Sequence, residues 1–314
     1  MKNNNIKTGF LSLVTALFFL TACTTNQQLE RTGSIIQTVY METDDLADIT
    51  AETALLAEKA GKKNVLVVFD IDNTLLAMEQ GLGSDQWYEW QKFLAKEDQC
   101  NPWNVGDRMA VQGALYFASA MRRTQEDGAK QVKAIQDLGV PVIALTARGA
   151  SYHLQTFREL RRNLFSFGYS AIGPAGGYTE PFIPVDKGRL SLYRDGVFLT
   201  AGQHKGKMLY SLLEKTGTRM PAVVIMVDDK RKNLAAVKET FSQLNVPVRA
   251  WRYSGEDMNV ENFNPDEADE QWKSIEGSLR QIQQIFGPDN YDLSSAVLPP
   301  GCDQPLSSSP AAGD

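Results

Sequence analysis

The sequence predicts an α/β fold, with a parallel sheet held between two layers of helices, and three observations carry that prediction. Short apolar runs that do not alternate with polar residues recur at 65–69, 142–145 and 222–227, as strands buried on both faces of a sheet require. Stretches of helical length and spacing separate them, punctuated by Gly and Pro. All three runs also stop abruptly on polar groups: Asp70 and Asp72 after the first, Thr146 after the second, Asp228 and Asp229 after the third. In an open α/β sheet the carboxyl ends of strands face the crevice where ligands bind.

The chain has 314 residues, 43% hydrophobic and 22% charged, which suffices for one large domain or a core with an inserted subdomain. Its formal net charge of -6 supplies no basic field for nucleic acid. At the start, Lys2 and Lys7 precede an apolar run at 10–20 that is too short for an ordinary membrane span and reads as a signal peptide over residues 1–22. Leu20-Thr21-Ala22-Cys23 resembles the lipobox of bacterial lipoproteins, which implies lipidation of Cys23. Thr24, in place of the usual inner-membrane retention Asp, then favours an outer-membrane anchor facing the periplasm.

Residues 23–42 are expected to be a polar tether. Thr43 or Asp44 is placed to cap a helix through residue 59, closed by Gly61. The buried strand 65–69 follows and ends on Asp70-Ile71-Asp72-Asn73-Thr74. Two carboxylates this close repel, so a hard divalent cation drawing on Asp70 would leave Asp72 free to carry a proton. The plain alternative is that Asp70 and Asp72 merely cap a turn, with Asn73 and Thr74 as turn residues.

Residues 77–128 are rich in aromatics, among them Trp87, Tyr88, Trp90, Trp103, Tyr116 and Phe117, and form a helical insert. Most of these rings are best read as the insert's own small core, and Arg122 and Arg123 as a solvated pair. A helix at 129–138 precedes the strand ending at Thr146, and a helix over 151–167 follows it. A hairpin is expected at 189–200 around Arg194-Asp195-Gly196. Lys205 or Lys207 opens the next helix, and neither His153 nor His204 is placed as a catalytic base. A strand at 246–251 and a closing helix at 266–286 complete the domain of residues 43–286, and the tail 287–314, with Pro299-Pro300 and a serine run, is expected to be flexible. Cys100 and Cys302 are the remaining cysteines. An oxidising compartment permits their bridge, whereas their positions in the insert and the tail argue against it.

Asp70-x-Asp72-x-Thr74 after an apolar strand, Thr146 ending a second strand, Lys205-Gly206-x-x-Leu209 opening a helix, and Asp228-Asp229 ending a third strand resemble, in order, the four motifs of the haloacid dehalogenase (HAD) superfamily. The resemblance implies a Rossmann-like three-layer α/β/α sandwich with a helical cap inserted after the first strand motif. It implies a Mg2+-dependent phosphatase in which Asp70 is the nucleophile and Asp72 the general acid and base. Thr146, Arg148 and Lys205 would bind the phosphoryl group, and Asp70, Asp72, Asp228 and Asp229 the metal, with Asn233 supporting them. The implied substrate is a small phosphomonoester in the cell envelope. A phosphotransferase or mutase, or an envelope lipoprotein that binds a phosphorylated ligand without turnover, are the alternatives.

Overall fold

The computed structural model describes residues 36–287, 291–294 and 302. The signal peptide, Cys23, Pro299-Pro300 and the serine run lie outside the described residues. Seven strands form the main sheet: β1 (Val39–Thr43), β2 (Val65–Phe69), β5 (Val142–Thr146), β6 (Leu192–Arg194), β7 (Val197–Leu199), β8 (Val223–Asp228) and β9 (Val248–Tyr253). Their spatial order is β1-β9-β8-β2-β5-β7-β6, and every neighbouring pair is parallel except the hairpin β6–β7. Asp195 and Gly196 both adopt positive φ, which closes that hairpin in the tight two-residue manner of an Asp-Gly turn.

The unalternating runs are buried on both faces, as their composition requires. Val65, Val67 and Phe69 of β2 join one core with Val223, Ile225 and Val227 of β8, while Leu66, Val68, Val224 and Met226 join the other. The first core is covered by α1 (Leu46–Ala60), α4 (Gly128–Asp137) and α5 (His153–Arg162), and the second by α6 (Lys205–Thr216) and α7 (Arg231–Gln243). Each fully buried aliphatic contributes roughly 1.5–3 kcal/mol, so a strand such as β2, with every residue buried, fixes its neighbours' register and the position of whatever follows it.

Between β2 and α4 lies the insert. Short strands β3 (Leu76–Met78) and β4 (Met121–Arg123) pair antiparallel at its base and carry α2 (Asp85–Glu97) and α3 (Arg108–Ala118) between them. Trp87, Val111, Ala114 and Leu115 form a third core with Ala268, Trp272 and Leu279 of α9 (Pro265–Phe286) and with Tyr291 and Leu293. Trp87 is fully buried and Trp90 packs edge-on to Phe263, so these rings are packing elements. The short α8 (Asp257–Glu261) leads into α9.

Four expectations are corrected. Residues 39–42 are not tether: β1 pairs with β9 along its whole length, an edge strand whose half-exposed pattern lacks the apolar run that marks the central strands. The cap of α1 is Asp45, whose carboxylate accepts the Ala47 N–H at 2.8 Å. Residues 291–294 of the tail are packed rather than free, since Leu293 is buried, its N–H donates to Gln283, and Arg280 donates to its carbonyl. Cys100 and Cys302 are bonded as a disulfide spanning a sequence separation of 202. By the chain-entropy relation, closing so long a loop stabilises the fold by up to about 5 kcal/mol. Cys100→Ser or added reductant is therefore expected to lower the unfolding midpoint in urea, and an unchanged midpoint would show that the bridge does not constrain the unfolded chain.

Candidate active site

Sheet register brings the acids together. Phe69 pairs with Val227 across β2 and β8, so Asp70 and Asp228, each one residue further, leave neighbouring strands at the same level, about 5 Å apart in backbone. The Asp70 N–H donates to the Val227 carbonyl at 2.9 Å and holds that level one step past the strand. Asp229 follows directly, and one carboxylate oxygen from each of Asp70, Asp228 and Asp229 lies within 4.8 Å of the others. Two groups fix the backbone of Asp229: its N–H donates to the Thr74 hydroxyl at 3.0 Å, and Arg252 donates to its carbonyl at 3.1 Å. Thr74 is fully buried, so the threonine of the Asp-x-Asp-x-Thr stretch acts as the strut between two strand ends. A turn does follow, since Asn73 sits at a φ of 56° and the Thr74, Leu75 and Leu76 N–H groups all turn back to the Ile71 carbonyl, while the Asp70 and Asp72 carboxylates face Lys205 and Arg148.

Lys205, at the first turn of α6, is buried between the acids. Its Nζ donates to Asp228 at 2.6 Å and stands 2.8 Å from Asp70 Oδ1, the latter a Coulombic contact outside hydrogen-bond geometry. Burial alone would lower its pKa, but the charges of Asp228 and Asp70 outweigh that and raise it. Lys207 plays no part here; it supplies only a backbone N–H to the His204 cap. Gly206 explains the Lys-Gly pair: a Cβ there would collide with the Ala236 carbonyl and the Thr240 hydroxyl, so glycine lets α6 lie close against α7 and seats Lys205 under the strand ends. Asp228 is further held by the Lys230 N–H and by Asn233, each at 2.9 Å, which places Asn233 where the sequence expected it.

Asp72 is oriented differently. Arg148 grips it bidentately, Nε to Oδ2 at 3.0 Å and a terminal nitrogen to Oδ1 at 2.7 Å, and its guanidinium lies 4.5 Å from the centre of the Tyr116 ring and donates to Thr156. Burial would raise the Asp72 pKa, yet Arg148 reverses the balance and holds it below the usual carboxylate range. Two expectations change accordingly. The Asp72 carboxylate is not part of the acid cluster, and Arg148, expected on the phosphoryl group, is committed to Asp72. Thr146 is fully buried at the end of β5, where its hydroxyl accepts the Arg148 N–H at 3.1 Å and so shapes the loop that presents Arg148. Arg148→Met, which keeps the bulk over Tyr116, leaves Asp72 as an uncompensated, largely buried charge, and is expected to cost about 3–5 kcal/mol. Chemical denaturation checks this, and a loss under about 1 kcal/mol would mean that solvent already screens the pair.

Sequence reasoning missed the link from the insert to the acids. Lys230, next after Asp229, pairs with Asp85 at 2.6 Å and Glu89 at 3.1 Å on α2. Burial would depress the Lys230 pKa, but Asp85, Asp229 and Glu89 raise it above the ordinary value. The spacing Asp85, Tyr88, Glu89 at the start of α2 marks one helix face, the one local signal that pointed to it.

The acid cluster suits a divalent cation. Asp229 Oδ1 is buried with no hydrogen-bond partner among the described residues, an arrangement that calls for an ion or a proton. Burial first and Asp228 second push Asp70 up to about 7 and Asp229 up to about 9. Three oxygen donors with one lysine charge beside them form the donor set of a hard cation that keeps several waters.

Residues 42–283 match the family described as "Protein of unknown function (DUF2608)". No curated protein matches the chain. Among solved structures, the class C acid phosphatase from Bacillus anthracis is 12% identical, with 72% of this chain and 95% of that chain covered and a TM-score of 0.33.

Proposed function

Because the chain belongs to the DUF2608 family, whose description assigns no activity, the function rests on the site itself, and we propose that this protein is a Mg2+-dependent phosphomonoesterase of the HAD type. The observation that carries the reading is the convergence of Asp70, Asp228 and Asp229 on one point, with Lys205 between two of them and Asp72 held alongside.

In this reading Asp70 attacks the phosphorus of a small phosphomonoester and the alcohol leaves as an aspartyl-phosphate forms; water then cleaves that acyl phosphate and regenerates the carboxylate. Asp72 donates a proton to the leaving oxygen and later takes one from the attacking water. Arg148 holds Asp72 in place for both transfers, and the first requires Asp72 protonated against the pull of Arg148. Lys205 offsets charge on Asp70 and on the phosphoryl oxygens. Asp70, Asp228 and Asp229 would hold the cation, which supplies charge neutralisation for the transferring group. The helical insert serves as the cap, with α2 joined to the site through Lys230.

The location proposed is the bacterial envelope, anchored by lipid on Cys23 and facing the periplasm. The disulfide between Cys100 and Cys302 supports an oxidising compartment.

The test is release of inorganic phosphate from a panel of phosphomonoesters by the purified chain, with Mg2+ and with EDTA, and with added alcohols as acceptors. Cation-dependent release of free phosphate supports the hydrolase. Phosphoryl transfer to the acceptor favours a transferase, and ligand binding with no turnover across the panel rejects both in favour of a binding protein.

A further inference from the structure

The seam between the insert and the sheet domain holds polar groups that the proposed chemistry leaves unused. Arg108 opens α3, and its guanidinium lies 5.3 Å from the centre of the Tyr88 ring, yet it makes no ion pair with any described residue, and its Nε is buried without a partner. Gln112, one turn along the same face of α3, has its side-chain oxygen buried and unpaired, its nitrogen being spent on the Gly83 carbonyl. Across the seam on α5, Gln155 is 3% exposed with both amide atoms unpaired. Buried polar atoms of this kind are uncommon and call for a ligand or ordered water.

These groups lie along a helix face that leads to the reaction centre. Tyr116, the next position along the Arg108–Gln112 face, packs edge-on to Tyr152 at 5.5 Å and lies over Arg148, which holds Asp72. The Tyr152 hydroxyl donates to the Met109 carbonyl, tying the start of α3 to the start of α5, one turn before Gln155. The seam therefore runs outward from Asp72, the residue that protonates the leaving oxygen in the reading above. Carboxylates nearer the centre are already engaged: Asp72 by Arg148, Asp85 and Glu89 by Lys230, Asp70 and Asp228 by Lys205. Water would satisfy the two glutamines, but a guanidinium over a tyrosine face with no counter-ion among the described residues selects an anion.

We propose that this seam is the leaving-group subsite and that Arg108, with the Gln155 amide N–H groups, binds a second anionic group, a carboxylate or a phosphate, on the alcohol half of the substrate, while the Gln112 oxygen accepts from water or from a substrate hydroxyl. The inference rests on the phosphomonoesterase reading and narrows it to substrates with an anion at each end. Arg108 is then a specificity residue, remote from the reacting atoms.

Binding of non-hydrolysable probes tests this without turnover. Calorimetry with the purified chain compares alkylphosphonates of increasing length with counterparts ending in a carboxylate or a second phosphonate. For at least one length the doubly anionic probe is expected to bind about tenfold or more tighter, with that preference lost in Arg108→Met and partly restored in Arg108→Lys. The carboxylate and phosphonate arms distinguish the two anion types. No preference at any length, or a preference that survives in Arg108→Met, overturns the proposal. Hydrolysis of 4-nitrophenyl phosphate by the same preparation separates the two levels: activity there with flat probe affinities sinks the subsite alone, and a wholly inactive chain sinks the phosphatase reading.

Discussion

Asp70→Asn is expected to abolish phosphomonoester hydrolysis, by at least about 10^4-fold, while leaving the fold as stable as before or more so. The two halves of that result have one cause. Asp70 is 5% exposed and faces Asp228 across adjacent strand ends, an arrangement that raises its pKa by burial and by repulsion. A neutral amide of the same shape removes the repulsion together with the nucleophile, the trade commonly seen where a site is arranged for chemistry and not for stability. Activity is read as phosphate release and stability as the midpoint of chemical denaturation. Retained turnover in Asp70→Asn removes the nucleophile assignment, and lost turnover with an unfolded chain says nothing for it. Asp72→Asn is expected to fall less, by about 10^2–10^4-fold, and to fall most for alkyl phosphates, whose alkoxide needs the proton more than a nitrophenolate does.

Removal of the divalent cation is expected to have a comparable effect on turnover and a pH-dependent effect on stability. In the ion-free chain, Asp70 and Asp229 hold protons up to about 7 and about 9, against an ordinary value of 3.8. Over that window the folded state binds more protons than the unfolded one, so stability falls as pH rises from about 4 to about 9. A bound cation takes the place of those protons, and its contribution grows as the protons leave. The melting temperature gained on adding Mg2+ is therefore larger at pH 9 than at pH 6. An equal or reversed gain would mean that the ion binds elsewhere. EDTA is expected to reduce turnover to background, with recovery on adding Mg2+.

What the sequence made legible, and what it hid, follow from the range of the interactions involved. The strand runs ending on Asp70 and Asp228 were readable because burial on both faces of a parallel sheet leaves a local mark, an unbroken apolar run, and register then carries the acids together. Lys205 was preferred over Lys207 for its Gly206 neighbour, and the collision a side chain would make with Ala236 gives that preference a steric basis. By contrast, the grip of Arg148 on Asp72 spans 76 residues and leaves no local pattern, so nothing in either segment points to the pairing. The edge strand β1 alternates with solvent and reads like a tether. The packing of α9 and Leu293 against the insert, and the bridge from Cys100 to Cys302, are likewise contacts between distant segments. Each of the two segments involved looks ordinary when read alone.

The claim on which the rest depends is that Asp70, Asp228 and Asp229 together bind one hard cation. Calorimetric titration of the purified chain with Mg2+ tests it most directly. The account predicts saturable binding of one ion per chain at millimolar concentrations or below, with proton release, and loss of that binding in Asp229→Asn. Absence of binding, or binding that Asp229→Asn leaves intact, would contradict it.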